Sequence, residues 1–314
     1  MSSHETLIFG SRGSKLALAQ TQSIMAALER RFPGLRCELK IIKTLGDRIL
    51  DQPLAKIEGK GLFVKEIEKA LISGEIDVAV HSLKDLPTEQ PEELIIAAIP
   101  ERVDARDVLY HPRHLTLAEL PPMARIGTSS LRRSAQLRRL RPDIRLSDIR
   151  GNVDTRMRKV DAGEYDATVL AAAGLVRLDM LNARMAFFSF FDMLPAPGQG
   201  ALAIEAHRDN ERALRYVRTL NHEPTALAVL AERTVLSALG GGCAIPLAAF
   251  AQVDGNDIHL QARVIHPDGA PMLSDSGHAR RDQAEELGRQ IAEKLIQQGA
   301  HDIIQAEESS HAIK

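Results

Sequence analysis

The sequence predicts an α/β protein with two similar α/β lobes followed by a small α+β domain. Strand-like and helix-like segments alternate at the start of the chain, and the same two motifs recur further on. The last third changes to short strands followed by a helix. At 314 residues the chain is too long for one typical core. We therefore expect a first lobe of residues 1–100 with 200–219, a second lobe of 101–199 and a domain of 220–314.

The first lobe begins with a strand at Leu7–Phe9 and an amphipathic helix that stops at Pro33-Gly34. Apolar and polar residues then alternate over Leu35–Ile41, so Cys37 is expected to face a core. A second helix leads into the apolar strand Asp77–Val80. This βαβ order predicts a mainly parallel sheet.

Two features of the first lobe recur in the second. Gly10–Ser14 before the first helix has a counterpart in Gly127–Ser130, and Ser73–Val80 matches Ala162–Val169. Chance similarity between short βα patterns is the alternative. The paired order of both features favours a duplicated architecture.

The third region is predicted to start with a helix over Asn221–Leu239, which Gly240–Gly242 ends just before Cys243. Short strands and a last amphipathic helix with Leu287 on its apolar face follow. This order of elements predicts the α+β domain.

Composition excludes several classes of protein. With 44% hydrophobic and 26% charged residues, the chain is an ordinary globular protein rather than a disordered or disulfide-stapled one. No apolar run approaches the roughly 18 residues that span a bilayer, and the N-terminus lacks the pattern of a secretory signal. We expect a cytoplasmic protein with no membrane partner. Aromatic content of 4% without Trp argues against a nucleic-acid partner, and two cysteines give no metal-binding pattern.

The net charge of −2 conceals a segregation of charge. Between Arg125 and Lys159 lie 11 of the 40 Lys and Arg residues and three of the 42 acids, so that stretch carries +8 and the rest −10. All but one of these cations are Arg, the side chain that grips carboxylates and phosphates in bidentate fashion. A solvated helix face and a site for a polyanion are both consistent with this run.

Two helix N-termini carry basic and hydroxyl side chains. Arg12 and Ser14 flank the first, and Thr128, Ser130 and the pair Arg132-Arg133 crowd the second. Helix N-termini attract anions, and loops at the carboxyl ends of strands usually bind ligands. Ordinary N-capping explains the hydroxyl groups but not the arginines. Two such lobes facing each other would form an anion-lined cleft.

The segment Val80–Pro87 places Asp85 beside Lys84 at the end of a buried strand. Asp85 is a candidate general acid or base, or a stabiliser of a developing cation. The alternative is a turn Asp that caps local backbone. His81 has no spaced partners for a metal and is expected to be a satisfied core histidine.

Gly240–Gly242 followed by Cys243 allows two interpretations. A cysteine in a glycine-rich loop is accessible as a nucleophile or attachment point. The same glycines also suit a helix C-cap followed by a buried thiol.

Taken together, these motifs resemble the porphobilinogen deaminase (hydroxymethylbilane synthase) family over nearly the whole chain. Seven stretches in the family's order carry the resemblance: Gly10–Gln20, Gly59–Glu66, Val80–Thr88, Gly127–Arg133, Arg150–Arg156, Leu194–Gly200 and Gly241–Cys243.

The resemblance implies two periplasmic-binding-protein-like lobes and a third domain whose cysteine, here Cys243, anchors a dipyrromethane cofactor. It also implies a monomeric transferase of haem and tetrapyrrole biosynthesis. Such an enzyme adds four porphobilinogen units to the cofactor with loss of ammonia and releases hydroxymethylbilane by hydrolysis. The alternative is a cytoplasmic anion-binding protein of periplasmic-binding-protein type without chemistry, which would need neither Cys243 nor Asp85.

The resemblance assigns roles to individual residues. Asp85 is implied as the catalytic residue, and Gln199 as the hinge between the lobes. Cofactor binding is implied for Cys243, Arg12, Ser14, Ser82, Lys84, Thr128, Ser130, Arg132, Arg133, Arg150, Arg156 and Gln199. Substrate binding is implied for Arg12, Arg150, Arg156, Arg177 and, in a mobile loop over the site, Lys56, Lys60 and Phe63.

The chain departs from the family pattern in two places of interest. Glu58 sits between the loop lysines, where a small residue is expected. Phe187, Phe188, Phe190 and Phe191 stand where polar and proline residues are expected. These Phe residues either pack a domain interface or form an exposed patch that meets a partner.

Overall fold

The computed structural model describes residues 5–44, 64–241 and 245–305. The strands in these ranges are β1 (Glu5–Ser11), β2 (Leu35–Ile41), β3 (Val78–Ser82), β4 (Leu94–Ala98), β5 (Asp107–Tyr110), β6 (Arg125–Gly127), β7 (Arg145–Ser147), β8 (Ala167–Ala171), β9 (Met185–Phe187), β10 (Leu202–His207), β11 (Leu247–Asp254), β12 (Asp257–Ile265) and β13 (Met272–Arg280). The helices are α1 (Lys15–Arg31), α2 (Lys65–Ile72), α3 (Leu131–Leu140), α4 (Val153–Asp161), α5 (Ala172–Arg177), α6 (Glu211–Val217), α7 (Glu223–Ala238) and α8 (Ala284–Gln297).

Two sheets share one topology. The first has the order β2-β1-β3-β10-β4 and the second β7-β6-β8-β5-β9. In each, the first three strands run parallel and the fourth runs antiparallel to both of its neighbours. The fold is therefore two α/β lobes of one topology, followed in the chain by a small C-terminal domain with a three-stranded sheet. The duplicated architecture is confirmed.

The repeated sequence segments make the same contact in both lobes. Asp77 accepts a hydrogen bond from the backbone N–H of Ile8 at 2.9 Å, and Asp166 accepts one from the N–H of Arg125 at 2.6 Å. Each of these acids precedes the third strand in its sheet order, β3 or β8, and ties it to the second strand, β1 or β6. The short Gly-Glu-x-Asp match that suggested a duplication thus encodes a long-range contact.

In the first sheet the antiparallel strand β10 comes from a distant part of the chain, whereas β5 of the second sheet directly precedes β6 in sequence. The chain forms two compact units, residues 1–102 with 201–226 and residues 103–200 with 227–314. It enters the second unit just before β5 and returns to the first just before β10.

The C-terminal sheet, of order β11-β12-β13, belongs to the same compact unit as the second lobe. Glu232 of α7 joins them, because its carboxylate accepts hydrogen bonds from the N–H groups of Gly198 and Ala251, both at 2.7 Å. The predicted apolar face of α8 is buried against this sheet, including Leu287 and Ile291.

Cys37 packs beside the core of the first lobe, as predicted, but it is half-buried rather than enclosed. Its strand β2 lies at the edge of the sheet, which leaves one side less covered. Burial, followed by the charge of Glu29, raises the pKa of the Cys37 thiol to about 12. This thiol is therefore a poor nucleophile at neutral pH.

The phenylalanine cluster is divided between core, interface and surface. Phe188 is buried in the second lobe, while Phe190 stacks on Phe250 of β11 with ring centroids 4.2 Å apart. Phe191 has 84% of its surface exposed, although its carbonyl accepts a 2.8 Å hydrogen bond from Arg263. Phe190 therefore packs the second lobe against the C-terminal sheet, whereas the side chain of Phe191 lies on the surface.

Replacement of Gly288 by Ala is expected to destabilise the packing of α8 on α7. A Cβ at Gly288 would lie 2.6 Å from the carbonyl oxygen of Ala231 and 2.7 Å from Cβ of Thr234. Overpacking of this kind costs about 1–3 kcal/mol. Thermal unfolding should show a lower midpoint for Gly288→Ala. The control is Gly34→Ala, because a Cβ there meets nothing within 4 Å; an unchanged midpoint in Gly288→Ala would contradict the packing argument.

Candidate functional site

An open cavity lies in the first unit, where β1 and β3 end. These strands are parallel neighbours, so the segments that follow them meet at one edge of the sheet. The polar residues that line the cavity come from two separate sequence motifs, Gly10–Gln20 and Val80–Thr88: Arg12, Ser14, Gln20, His81, Ser82 and Asp85. Val64 and Ile67, at the start of α2, close its apolar side.

The serine hydroxyls of this cavity are held by the fold. Ser14 is the N-cap of α1 and accepts a hydrogen bond from the N–H of Ala17 at 3.3 Å. Ser82 accepts one from Nε2 of Gln20 at 2.8 Å. A hydroxyl that accepts a hydrogen bond keeps its own O–H to donate. Capping and anion binding are thus compatible at these residues.

Asp85 ends a single 3-10 turn, Leu83–Asp85, which follows β3 directly. Its side chain is exposed and lines the cavity. Lys84, the preceding residue, is half-buried. The chain therefore brings a carboxylate to the same cavity as Arg12, with an apolar strand as the rigid support.

His81 is a satisfied core histidine, as predicted. Its Nε2 lies 3.0 Å from a carboxylate oxygen of Glu205, and only 7% of its side chain is exposed. Its partner comes from β10, 124 residues away in the chain.

In the second lobe, Arg132 and Arg133 turn inward. Both bind the buried carboxylate of Asp107, with N–O distances of 2.7 Å, and their side chains are 5% and 8% exposed. Arg132 also donates to the carbonyl of Leu194, and Arg133 to that of Val169. Part of the charge of both arginines is neutralised inside this lobe.

Gln199, 1% exposed, completes this cluster. Its Nε2 donates to Oδ1 of Asp107 at 3.1 Å and to the carbonyl of Ala105 at 2.7 Å. Burial alone would raise the pKa of Asp107, but the charges of the two arginines and their hydrogen bonds hold that pKa well below its usual range. Gln199 lies one residue before the second unit ends, at Gly200.

Four other predicted site residues, two with hydroxyl groups and two arginines, hydrogen-bond to the backbone. Ser130 caps α3 by accepting from the N–H of Arg133, and Thr128 accepts from the N–H of Ser130. Arg156 donates to the carbonyl of Gly151, and Arg177 to that of Gly200, both at 2.8 Å.

Burial lowers the pKa of Arg177 to about 10, so its guanidinium remains charged at neutral pH. Arg150 is half-buried just before α4.

Four predicted site residues lie outside the described residues: Lys56, Lys60, Phe63 and Cys243. Glu58 lies there as well. The helix before Cys243 ends in a glycine cap, in which the N–H of Gly241 reaches the carbonyl of Leu236 at 2.8 Å and both Gly240 and Gly241 have positive φ. Capping therefore accounts for two of the three glycines.

Sequence reasoning missed Gln20 and Asp107. Gln20 is the last residue of the Gly10–Gln20 motif and lies in α1, the helix that Ser14 caps. Its place in that motif could have marked it as a site residue. Asp107 follows Arg106 and precedes the apolar run Val108–Tyr110. An acid at the head of a buried strand, in a chain with an Arg-rich segment, is the signal that points to a buried ion pair.

Within the described ranges, no group of three or more His, Cys, Asp or Glu side chains is placed to hold a metal ion. The described helices include none that is long and apolar enough to cross a membrane.

Comparison with known families identifies the chain. Residues 7–215 match the model "Porphobilinogen deaminase, dipyromethane cofactor binding domain", and residues 226–297 match "Porphobilinogen deaminase, C-terminal domain". The chain belongs to the porphobilinogen deaminase family. The family consists of enzymes of tetrapyrrole synthesis that act on porphobilinogen and carry a dipyrromethane cofactor.

Relatives named porphobilinogen deaminase match almost end to end. The protein of Syntrophomonas wolfei is 47% identical over 95% of this chain and 97% of its own length. The protein of Brevibacillus brevis is 50% identical over 94% of this chain and 95% of its own.

Among solved structures, the methionine binding protein MetQ has a TM-score of 0.45 at 12% identity, covering 68% of this chain and 89% of its own. The BenM effector binding domain has a TM-score of 0.42 at 15% identity, covering 68% of this chain and 91% of its own.

Asp107→Asn is expected to destabilise the second unit by about 3 kcal/mol, because it leaves two buried guanidinium groups without their counter-charge. The native pKa of Asp107 is depressed, so wild-type stability from this pair is present above about pH 4 and is lost as pH falls further. Chemical denaturation across pH 3–7 is the measurement. Asp143→Asn, which breaks the more exposed pair with Arg141, is the control and should change the midpoint little. Equal midpoints for both variants would contradict the buried role of Asp107.

Proposed function

We propose that this chain is a transferase that joins four porphobilinogen units head to tail on a dipyrromethane primer linked to Cys243 and then releases hydroxymethylbilane by hydrolysis. Each addition forms one carbon–carbon bond, expels ammonia from the incoming aminomethyl group and releases the proton of the attacking pyrrole carbon. The observation that carries the proposal is the cavity of the first unit, which brings Arg12 of one motif together with Ser82 and Asp85 of another.

The donor set of the cavity fits a carboxylated pyrrole. Dipyrromethane and porphobilinogen carry acetate and propionate groups, and Arg12 together with the free O–H groups of Ser14 and Ser82 are donors for such groups. The N-terminus of α1 adds positive potential at the same edge. When bound, the cofactor supplies the pyrrole carbon to which the first substrate unit is attached.

Asp85 is the carboxylate that this cavity offers to the reacting pyrrole. A carboxylate accepts hydrogen bonds from pyrrole N–H groups and stabilises the positive charge that develops as ammonia leaves. Its position on a short turn after a buried strand favours a fixed carboxylate rather than a mobile one.

The remaining cofactor and substrate contacts are proposed from the family resemblance. They comprise Lys84, Thr128, Ser130, Arg132, Arg133, Arg150, Arg156, Arg177, Gln199, Lys56, Lys60 and Phe63. The monomeric state, the cytoplasmic location and the division into three domains stay predictions.

The purified protein is expected to weigh more than its sequence by one dipyrromethane adduct. Intact-mass spectrometry should show the adduct in wild type and in Cys37→Ala, because Cys37 packs beside a core and its pKa is raised to about 12. Cys243→Ala should lack it. A wild-type mass equal to the bare sequence would instead favour the non-catalytic anion-binding protein.

Asp85→Asn is expected to lower kcat by about 100-fold or more, because the charge that stabilises the developing cation is lost. The adduct and the unfolding midpoint should be retained, since Asp85 is exposed. Turnover is measured by the release of product from porphobilinogen. Glu89→Gln, at an exposed acid four residues on, is the matched control and should keep wild-type kcat; comparable kcat in both variants would remove Asp85 from this role.

A further inference from the structure

A buried acid lies beneath the cavity of the first unit. Glu205 of β10 has no exposed surface, and one of its carboxylate oxygens is 3.0 Å from Nε2 of His81. The other oxygen has no hydrogen-bond partner among the described residues. The neighbours of Glu205 in the strand, Ile204 and Ala206, are fully buried and apolar. An apolar residue at this position would avoid a large desolvation cost, so packing alone does not explain the acid.

His81 connects this acid to the candidate active site. It lines the cavity and directly precedes the Ser82–Asp85 turn. In the antiparallel ladder His81 is paired with Ala203 and Glu205 with Ala79, so the two side chains are diagonal neighbours on one face of the sheet. The contact therefore spans the two strands at the point where β3 gives way to the turn.

Helix α2 covers the same face. Ile67, Ala70 and Leu71 of α2 share a core cluster with Ala79 of β3. Burial and then the charge of Glu205 raise the pKa of Glu68, while the charges of His81 and Lys65 lower it. Glu68 is thus close enough to both members of the pair to report on their charges.

A second hydrogen bond holds the turn from the other face of the sheet. Gln20 of α1, 3% exposed, donates a 2.8 Å hydrogen bond to Ser82. Ser82 is therefore fixed by α1 and its neighbour His81 by β10. The 3-10 turn Leu83–Asp85 therefore follows two residues whose side chains are both fixed.

We propose that Glu205 and His81 form an ionised pair, carboxylate against imidazolium, that positions the Ser82–Asp85 turn for catalysis. Charge-assisted hydrogen bonds are shorter and stronger than neutral ones and so hold an orientation more tightly. A displacement of about 1 Å at a reacting group costs up to about 100-fold in rate. Glu205 and His81 act through Asp85, and the inference rests on the proposed function.

Three variants test the pair. Glu205→Gln keeps the volume and a hydrogen-bonding group but removes the charge, and should lower kcat about 10-fold with KM within about twofold and the adduct retained. His81→Gln leaves the carboxylate unpaired and should lower both the unfolding midpoint and kcat. The double variant His81→Gln/Glu205→Gln removes both charges, and should recover the midpoint but not kcat.

Asp77→Asn is the matched control. Asp77 is another buried acid of the first unit, but it lies at the other end of β3 and binds the N–H of Ile8. This variant should lower the unfolding midpoint while kcat stays at the wild-type value. Wild-type kcat in the double variant, or in Glu205→Gln, would show that the pair is structural and would overturn the proposal.

The charge state of the pair is measured without turnover. In selectively labelled protein, NMR titration should show a lower pKa for Glu68 in Glu205→Gln than in wild type, because a negative neighbour has been removed. An unchanged pKa would mean that Glu205 is neutral and would overturn the ionised pair. The NMR titration and the unfolding midpoints test the ion pair without any need for turnover. The pair can therefore be confirmed or rejected even if the protein proves to lack deaminase activity.

Discussion

The buried carboxylate of Asp107 is the contact on which the second lobe depends. It joins β5 to α3 through Arg132 and Arg133, and Gln199 binds the same carboxylate. Water is excluded from all of these groups, so each polar side chain relies on the others for its hydrogen bonds. The arginines in turn hold the carbonyls of Leu194 and Val169. One charged cluster therefore connects a strand, a helix and the segment that leads out of the unit.

Other arginines of the Arg125–Lys159 stretch also make structural contacts. Arg141 binds Asp143 and the carbonyls of Leu117 and Leu120, and Arg138 binds the carbonyl of Pro267 in the C-terminal domain. A guanidinium has five donors in a rigid fork, so it can join several backbone carbonyls at once. Several arginines of this stretch therefore stabilise the packing of the fold, and their charge is not reserved for binding an anion. A variant of Arg132 or Arg133 that loses its cofactor must be checked for folding before the loss is assigned to carboxylate binding.

The two lobes share one topology but place their charged residues differently. In the first lobe the segments after β1 and β3 leave Arg12 and Asp85 at an open cavity. In the second, the arginines after β6 are drawn into the interior by an acid on the antiparallel strand. The first lobe also carries a buried acid on its antiparallel strand, Glu205, but there the partner is the histidine beneath the cavity. Both lobes therefore place a buried carboxylate on the first strand after the chain enters that unit from the other one.

The sequence by itself determined the class of fold, its duplication and the family. Period and turn residues are local properties, so the strands, the helices, the caps at Ser14 and Ser130 and the apolar face of α8 could all be predicted. Tertiary structure alone decided which charges are buried. Gln20 and Ser82 are 62 residues apart, and His81 and Glu205 are 124 apart, and each pair meets only when the antiparallel strand and α1 pack on the sheet. Whether an arginine faces solvent or a buried acid depends on that packing, and no local pattern encodes it.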